Sequence, residues 1–221
     1  MLMSRMLLPL KNRIIRLISR CVLDEINNTG KMQKIKATLF GNETLGTIDR
    51  LQEYGLETYP IADGKTEGVV LFIGGNRDQG ICIKLNSREY RPTDLSEGDA
   101  CLYTKDSNDS FKNRVWIKPT NNTIEITQAD GAKITLDNAG IIVDDGVNTG
   151  NKITMDSSGV LYEDKNGNSI TKDSSGVVVE NSSGHTITMD ATGITLDNTT
   201  NTVTLGAASV QINGTNLEVL P

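Results

Sequence analysis

The sequence predicts a mainly β chain in three parts: an N-terminal amphipathic helix, an OB-like β-barrel, and a C-terminal intertwined triple-stranded β-helix, or β-prism, formed as a homotrimer. Three observations lead there. Every aromatic side chain except Tyr162 lies at or before Trp116. Charge divides at the same place: residues 119–221 carry 4 basic and 13 acidic side chains, against 18 and 15 before them, within a net charge of −6. After Pro119 a single phrase, Ile-Thr-Leu-Asp and its variants, returns along the chain. The boundaries read from these shifts are 1–24 for the helix, 25–118 for the barrel and 119–221 for the repetitive needle.

The first twenty residues hold Arg5, Lys11, Arg13, Arg16 and Arg20 and no acid. The apolar run from Met6 to Leu10 is short, broken by Pro9 and followed by charge, unlike the core of an export signal. No stretch approaches the roughly 18 apolar residues of a membrane span. At 100° per residue Ile14, Ile15, Ile18 and Val22 share one face while Arg13, Arg16 and Arg20 share the other, which predicts an amphipathic helix from near Pro9. Such a helix docks its oily face on protein or lies in a lipid surface, and both readings stay open.

Short strands separated by turns follow. Lys34–Phe40 alternates and stops at Gly41-Asn42; Gly68–Ile73 is a continuous apolar run closed by Gly74-Gly75; Gly80–Leu85, Asp99–Thr104 and Arg114–Lys118 complete the set. Strands of this length suit a compact barrel, and an OB-like one is the first choice. Oligonucleotide-binding barrels need a basic groove lined with aromatics. Here the basic residues are balanced by acids and the aromatics are scattered, so no nucleic-acid partner is expected. Cys21, Cys82 and Cys101 form neither an even disulfide framework nor a CxxC pair and read as free thiols from a reducing compartment.

Beyond Pro119 the repeat carries most of the information. Its copies start at Ile134, Ile153, Ile170, Ile187 and Ile194, with a frayed sixth at Val203, in steps of 19, 17, 17, 7 and 9 residues. In four copies the Asp is followed three residues later by glycine and an aliphatic, as in Asp156-Ser157-Ser158-Gly159-Val160. β-branched residues favour strands, Asp closes an Asx-turn, and glycine supplies the positive φ that ends it. Each unit therefore reads as strand, tight turn, strand.

The strand period of two puts Ile134, Leu136, Ile153, Met155, Ile170, Ile187, Met189, Ile194, Leu196, Val203 and Leu205 on one side. One chain has neither aromatic filler nor a covering helix for them. Burying an Ile or Leu is worth about 1.5–3 kcal/mol, so a single copy would forfeit tens of kcal/mol. Three copies about one axis would place these residues in a common seam, pair strand edges between chains, and turn Thr, Asn, Ser and Asp to water. A monomeric right-handed β-helix is the structural rival, although such coils have longer turns and a filled interior. The calcium-binding nonapeptide pattern is absent. Asp144, Asp145 and Asp164, meeting their symmetry mates, are the candidates for a Ca²⁺ site, against the plainer reading of solvated acidic turns.

No catalytic constellation emerges. The sole histidine, His185, sits beyond the turn Asn181-Ser182-Ser183-Gly184 with no serine or cysteine elbow near it in sequence, and no phosphate-binding glycine loop occurs. A glycosidase could work with two carboxylates alone, but no stretch is spare for such a domain. The chain is expected not to be an enzyme and to carry no cofactor.

The ordered set Phe72–Ile83, Tyr90-Arg91-Pro92, Leu95-Ser96-Glu97-Gly98-Asp99 and Leu102-Tyr103 resembles the baseplate central spike of Mu-like contractile-tailed phages, the Mu spike and baseplate assembly protein V family. Gln79 departs from it, standing where many relatives have histidine. The resemblance implies a virion protein of the tail baseplate, assembled in the host cytoplasm, that is driven through the bacterial outer membrane on sheath contraction. Its partners would be two further copies of itself, the baseplate hub and the tail tube. Many such spikes end in a His-x-His pair that holds iron at the apex, a pair this sequence lacks. A PAAR-like tip protein capping Val210, Ile212, Leu217, Val219 and Leu220 is the corresponding expectation. The competing function is a trimeric adhesin or receptor-binding fibre, which would show exposed loops or aromatics along the stalk.

Overall fold

The computed structural model describes residues 2–106, 111–146 and 150–216. The chain divides into two compact units, residues 1–93 with 105–110 and residues 94–104 with 111–221.

In the first unit a helix, α1 (Leu2–Ile15), precedes a closed barrel of β1 (Ile18–Asn27), β2 (Lys34–Leu39), β3 (Thr44–Arg50), β4 (Thr66–Phe72) and β5 (Gly80–Ser87). The strand order around the barrel is β1-β2-β3-β5-β4, with β3 and β5 parallel and the other pairs antiparallel. This is OB topology. Alternate residues fill the interior: Cys21 and Leu23, Ile35, Ala37 and Leu39, Ile48, Val70 and Phe72, and Cys82. Cys21 and Cys82 are free thiols buried inside the barrel; the neighbouring Cys82 and burial push the Cys21 thiol well above its ordinary range. Gly68 admits no side chain, since a Cβ there would lie 2.6 Å from both the Lys84 carbonyl oxygen and Leu85 Cδ2.

Two expectations change here. The helix was expected to span residues 1–24, but it stops at Ile15, and Ile18–Asn27 is a strand. Ile14, Ile18 and Val22 satisfy a helical spacing. Ser19, Cys21 and Leu23, however, are the buried residues of this stretch, and strands on both sides offer β1 a full set of hydrogen bonds. Tertiary pairing overrides local periodicity. The barrel was also expected to extend to Lys118. Its fifth strand is instead β3, inconspicuous because Gly46 and Thr47 interrupt its apolar pattern, while Ala100–Lys105 and Phe111–Lys118 pair into the other sheet.

The second unit is one antiparallel meander. It runs through β6 (Ala100–Lys105), β7 (Phe111–Lys118), β8 (Thr123–Gln128), β9 (Lys133–Leu136), β10 (Gly140–Asp144), β11 (Lys152–Asp156), β12 (Gly159–Glu163), β13 (Ser169–Asp173), β14 (Gly176–Glu180), β15 (Thr186–Asp190), β16 (Gly193–Asp197), β17 (Thr202–Gly206), β18 (Val210–Ile212) and β19 (Thr215–Asn216). Each strand pairs with its sequence neighbours in a 14-stranded sheet. The hydrogen-bonding edges expected to pair between copies are thus satisfied within the chain along the meander. What a single copy leaves uncovered is a face.

The turns follow the repeat. Asp137 Oδ1 accepts the N–H groups of Ala139 and Gly140 at 2.8 and 3.1 Å; Asp173 does the same for Ser175 and Gly176, and Asp190 for Thr192 and Gly193. The glycines then start the return strands at φ between 143° and 151°. There a Cβ would stand 2.0–2.1 Å from the carbonyl oxygen of the paired strand: Met155 for Gly140, Lys172 for Gly159, Met189 for Gly176 and Leu205 for Gly193. Glycine is required by collision as well as by dihedral angle.

Candidate functional site

The register of the long sheet aligns alternate, mostly apolar residues into two columns. In the first, neighbouring strands set Val115 beside Ile126, then Ile134, Val143, Ile153, Tyr162, Ile170, Val179, Ile187, Leu196, Val203 and Ile212. The second runs from Ile117 through Ile124, Leu136, Ile141, Met155, Val160, Lys172, Val177, Met189 and Ile194 to Leu205 and Val210. Strand alternation turns both columns to one face. Between them, on the opposite face, lies a threonine-rich row containing Thr135, Thr154, Thr171, Thr188, Thr195 and Thr204.

All the seam residues read from the sequence fall on these columns: Ile134, Ile153, Ile170, Ile187, Leu196 and Val203 on the first, and Leu136, Met155, Met189, Ile194 and Leu205 on the second. The sequence reading missed the residues contributed by the return strands, such as Val143, Tyr162 and Val179. The signal was present, since each follows the turn glycine by a fixed spacing.

Within a single copy this face is wet. Ile170 and Ile187 are each 43% exposed, as are Leu196 and Leu205; Ile117 at 48% and Val210 and Ile212 at 41% are similar, while Ile134, Val143, Ile153 and Met155 are half-buried. A groove of about 1410 Å³ runs along the first column from Leu102 to Ile187. Covering the remaining apolar surface would contribute on the order of 10–20 kcal/mol per chain.

Near the start of the sheet a charged cluster braces the opposite face. The Trp116 indole N–H donates to Asp99 Oδ2 at 2.9 Å, and its ring lies between the Arg114 guanidinium and the Lys118 ammonium at 4.0 and 3.9 Å. Lys118 and Lys133 both pair with Glu125, at 2.7 and 2.9 Å. Partial burial alone would raise the Glu125 carboxyl, but the two lysines outweigh it and hold it below the usual range.

The other singled-out residues take local roles. Asp144 Oδ1 accepts the Gly146 N–H, Asp145 Oδ2 accepts from Asn151, and Asp164 accepts from the backbone of Asn166 and Asn168 and from the Asn168 amide. Those bonds hold the Asp164 carboxyl below its ordinary range. Among the described residues, no three His, Cys, Asp or Glu side chains gather as a metal-ligand set. His185 meets Asn181 at 3.4 Å. Val210 and Ile212 end the two columns, while Leu217, Val219 and Leu220 lie outside the described residues.

In the barrel unit the buried Arg50 ties down the segment between β3 and β4. Its guanidinium donates to Gln33 Oε1, to the Thr58 carbonyl at 2.6 Å and to Thr58 Oγ1 at 2.6 Å.

Comparison with known proteins follows this division. Residues 20–89, which take in all of the barrel but the first two residues of β1, match the family model "Bacteriophage Mu Gp45, N-terminal", and residues 166–218, which include β13 to β19, match "Phage baseplate V C-terminal trimerisation domain". The similarity is to Mu-like baseplate spike proteins. The chain is 36% identical over 101 residues to the "Baseplate puncturing device gp45" of Escherichia phage Mu, covering 46% of this chain and 50% of that one. It is 30% identical over 100 residues to the "Mu-like prophage FluMu protein gp45" of Haemophilus influenzae, covering 45% and 53%. Each alignment spans about half the length of the curated relative.

Proposed function

We propose that this chain is the central spike of a contractile tail baseplate: a homotrimer whose long sheets close, apolar faces inward, into a stiff prism driven through the bacterial outer membrane on sheath contraction. The observation that carries the reading is the pair of largely apolar columns that run across the sheet, partly uncovered in one copy, with their distal part in a segment similar to a trimerisation domain. Three such faces turned toward one axis bury each other and leave threonine-rich rows outside. The meander supplies stiffness, because its strands are paired with their sequence neighbours and the turns after β9, β11, β13 and β15 are each fixed by an Asp and a glycine.

The role is mechanical, and the chain needs no catalytic group for it. The barrel serves as the joint to the baseplate hub and tail tube, and the ends of the columns at Val210 and Ile212 offer a landing for a PAAR-like tip protein. The Mu relative named as a puncturing device supports this assignment. Particles carrying an affinity-tagged copy of the full chain test it. The tag should localise by gold labelling to the baseplate end of the tail, and particles lacking the chain should adsorb without breaching the envelope. Absence from purified particles, or normal infection without the chain, contradicts the proposal.

A further inference from the structure

The two columns depart from aliphatic or methionine side chains in one place each, and the departures are neighbours. Tyr162 stands alone in the first column, on β12; Lys172 stands alone in the second, on β13. Tyr162 pairs with Ile170 and Val160 pairs with Lys172, so all four share one face, with Tyr162 and Lys172 on a diagonal. Tyr162 is 46% exposed, and Lys172 is exposed too. Among the described residues, Lys172 has no ion pair, side-chain hydrogen bond or ring contact within its own chain.

An ammonium set among aliphatic side chains is costly unless something replaces its water. When three sheets meet with their apolar faces inward, the first column of one copy adjoins the second column of the next. At the level of β12 and β13 the residue brought toward Lys172 is then the tyrosine. A phenol ring offers the face that attracts an ammonium, and its oxygen can accept a hydrogen bond. We infer that Lys172 of each copy seats against Tyr162 of the partner subunit, and that this contact fixes the register of the trimer. The inference rests on the trimeric reading above, and Lys172 lies inside the segment similar to the trimerisation domain.

The repeat makes such a device necessary. Sliding one copy by the 17-residue step that separates Ile170 from Ile187 still sets aliphatic against aliphatic nearly everywhere. The same slip carries Val179 to the place of Tyr162 and leaves Lys172 facing hydrocarbon. Registers that the apolar columns leave almost equivalent are thus separated by one polar pair, as a buried polar residue separates registers in coiled coils.

The test uses the full chain. Trimers co-refolded from isotopically light and heavy copies, with a benzophenone amino acid replacing Tyr162, are weighed in solution, irradiated and digested. The expected product joins position 162 of a light chain to the 169–173 segment of a heavy one. A trimer with only same-isotope crosslinks overturns the contact alone, whereas a monomer overturns the trimer and the contact together. A cycle of Tyr162→Leu, Lys172→Met and the double variant gives a second readout. Lys172→Met should shift the dissociation temperature differently when Tyr162 is present and when it is Leu. Equal shifts in both backgrounds, or a halide dependence at fixed ionic strength that vanishes in Lys172→Met, would assign Lys172 to solvent or to a bound anion and refute the pairing.

Discussion

Replacing Gly176 by alanine probes the turn that the sheet repeats. Gly176 has φ 146°, and its added methyl would fall 2.1 Å from the Met189 carbonyl oxygen on the paired strand. Ordinary contact needs more than 3 Å, so β14 and β15 must part by roughly 1 Å, a fifth of the interstrand spacing. The dihedral strain costs about 1–3 kcal/mol and a weakened ladder bond about 1 kcal/mol more. The expected loss is therefore about 2–4 kcal/mol per chain. Gly206→Ala is the control. Gly206 lies outside the left-handed region, and a Cβ there would meet nothing closer than the Ser209 carbonyl at 3.6 Å. Guanidinium unfolding of the full chain followed by circular dichroism should show a large drop in midpoint for Gly176→Ala and little for Gly206→Ala. Equal effects, or none, would refute the collision argument.

Further outcomes follow from the same reasoning. Gly68→Ala should destabilise the barrel by about 1–3 kcal/mol, because the strand pair must open to admit the methyl; a thermal melt shifted by less than a degree would contradict it. Arg50→Met should cost about 1–3 kcal/mol by leaving Gln33 and Thr58 acceptors unpaired, and limited proteolysis should cut first between Leu51 and Lys65. Glu125 and Asp190 both titrate below their ordinary values, Glu125 through Lys118 and Lys133 against its burial, and Asp190 through Thr192. A carboxyl lowered in the folded state contributes stability that is present above its unfolded pKa of about 4 and lost as pH falls through the lower folded value. Acid unfolding of Glu125→Gln should be less steep than wild type below pH 4, and an unchanged profile would exclude the lysine pairs as a source of acid sensitivity.

What the sequence disclosed depended on which periodicity was isolated. The repeat phrase was legible because β-branched residues, Asp and Gly each do one job at a fixed spacing, and the structure assigns them those jobs at Asp137, Asp173, Gly176 and Gly193. That Ile134 and Leu136 share one face followed from the strand period alone. The N-terminal part was harder, because Ile14, Ile18 and Val22 satisfy a helical spacing that a strand also tolerates, and only the pairing of β1 with β2 and β4 decides between them. β3 was hidden because its buried Ile48 and Arg50 depend on partners distant in the sequence. The change in composition at Pro119 marks where aromatics end, whereas the sheet begins earlier, at β6. Lys172 escaped notice because its exceptional position exists only once register turns a list of strands into columns.

The mass of the full chain in dilute solution, by light scattering or native mass spectrometry, weighs the central idea most directly. Three associated 24.0 kDa chains are expected, with Ile187→Asp breaking the assembly by setting a carboxylate into each sheet's dry face. A folded wild-type chain that stays monomeric, its two aliphatic columns open to water, would contradict the account.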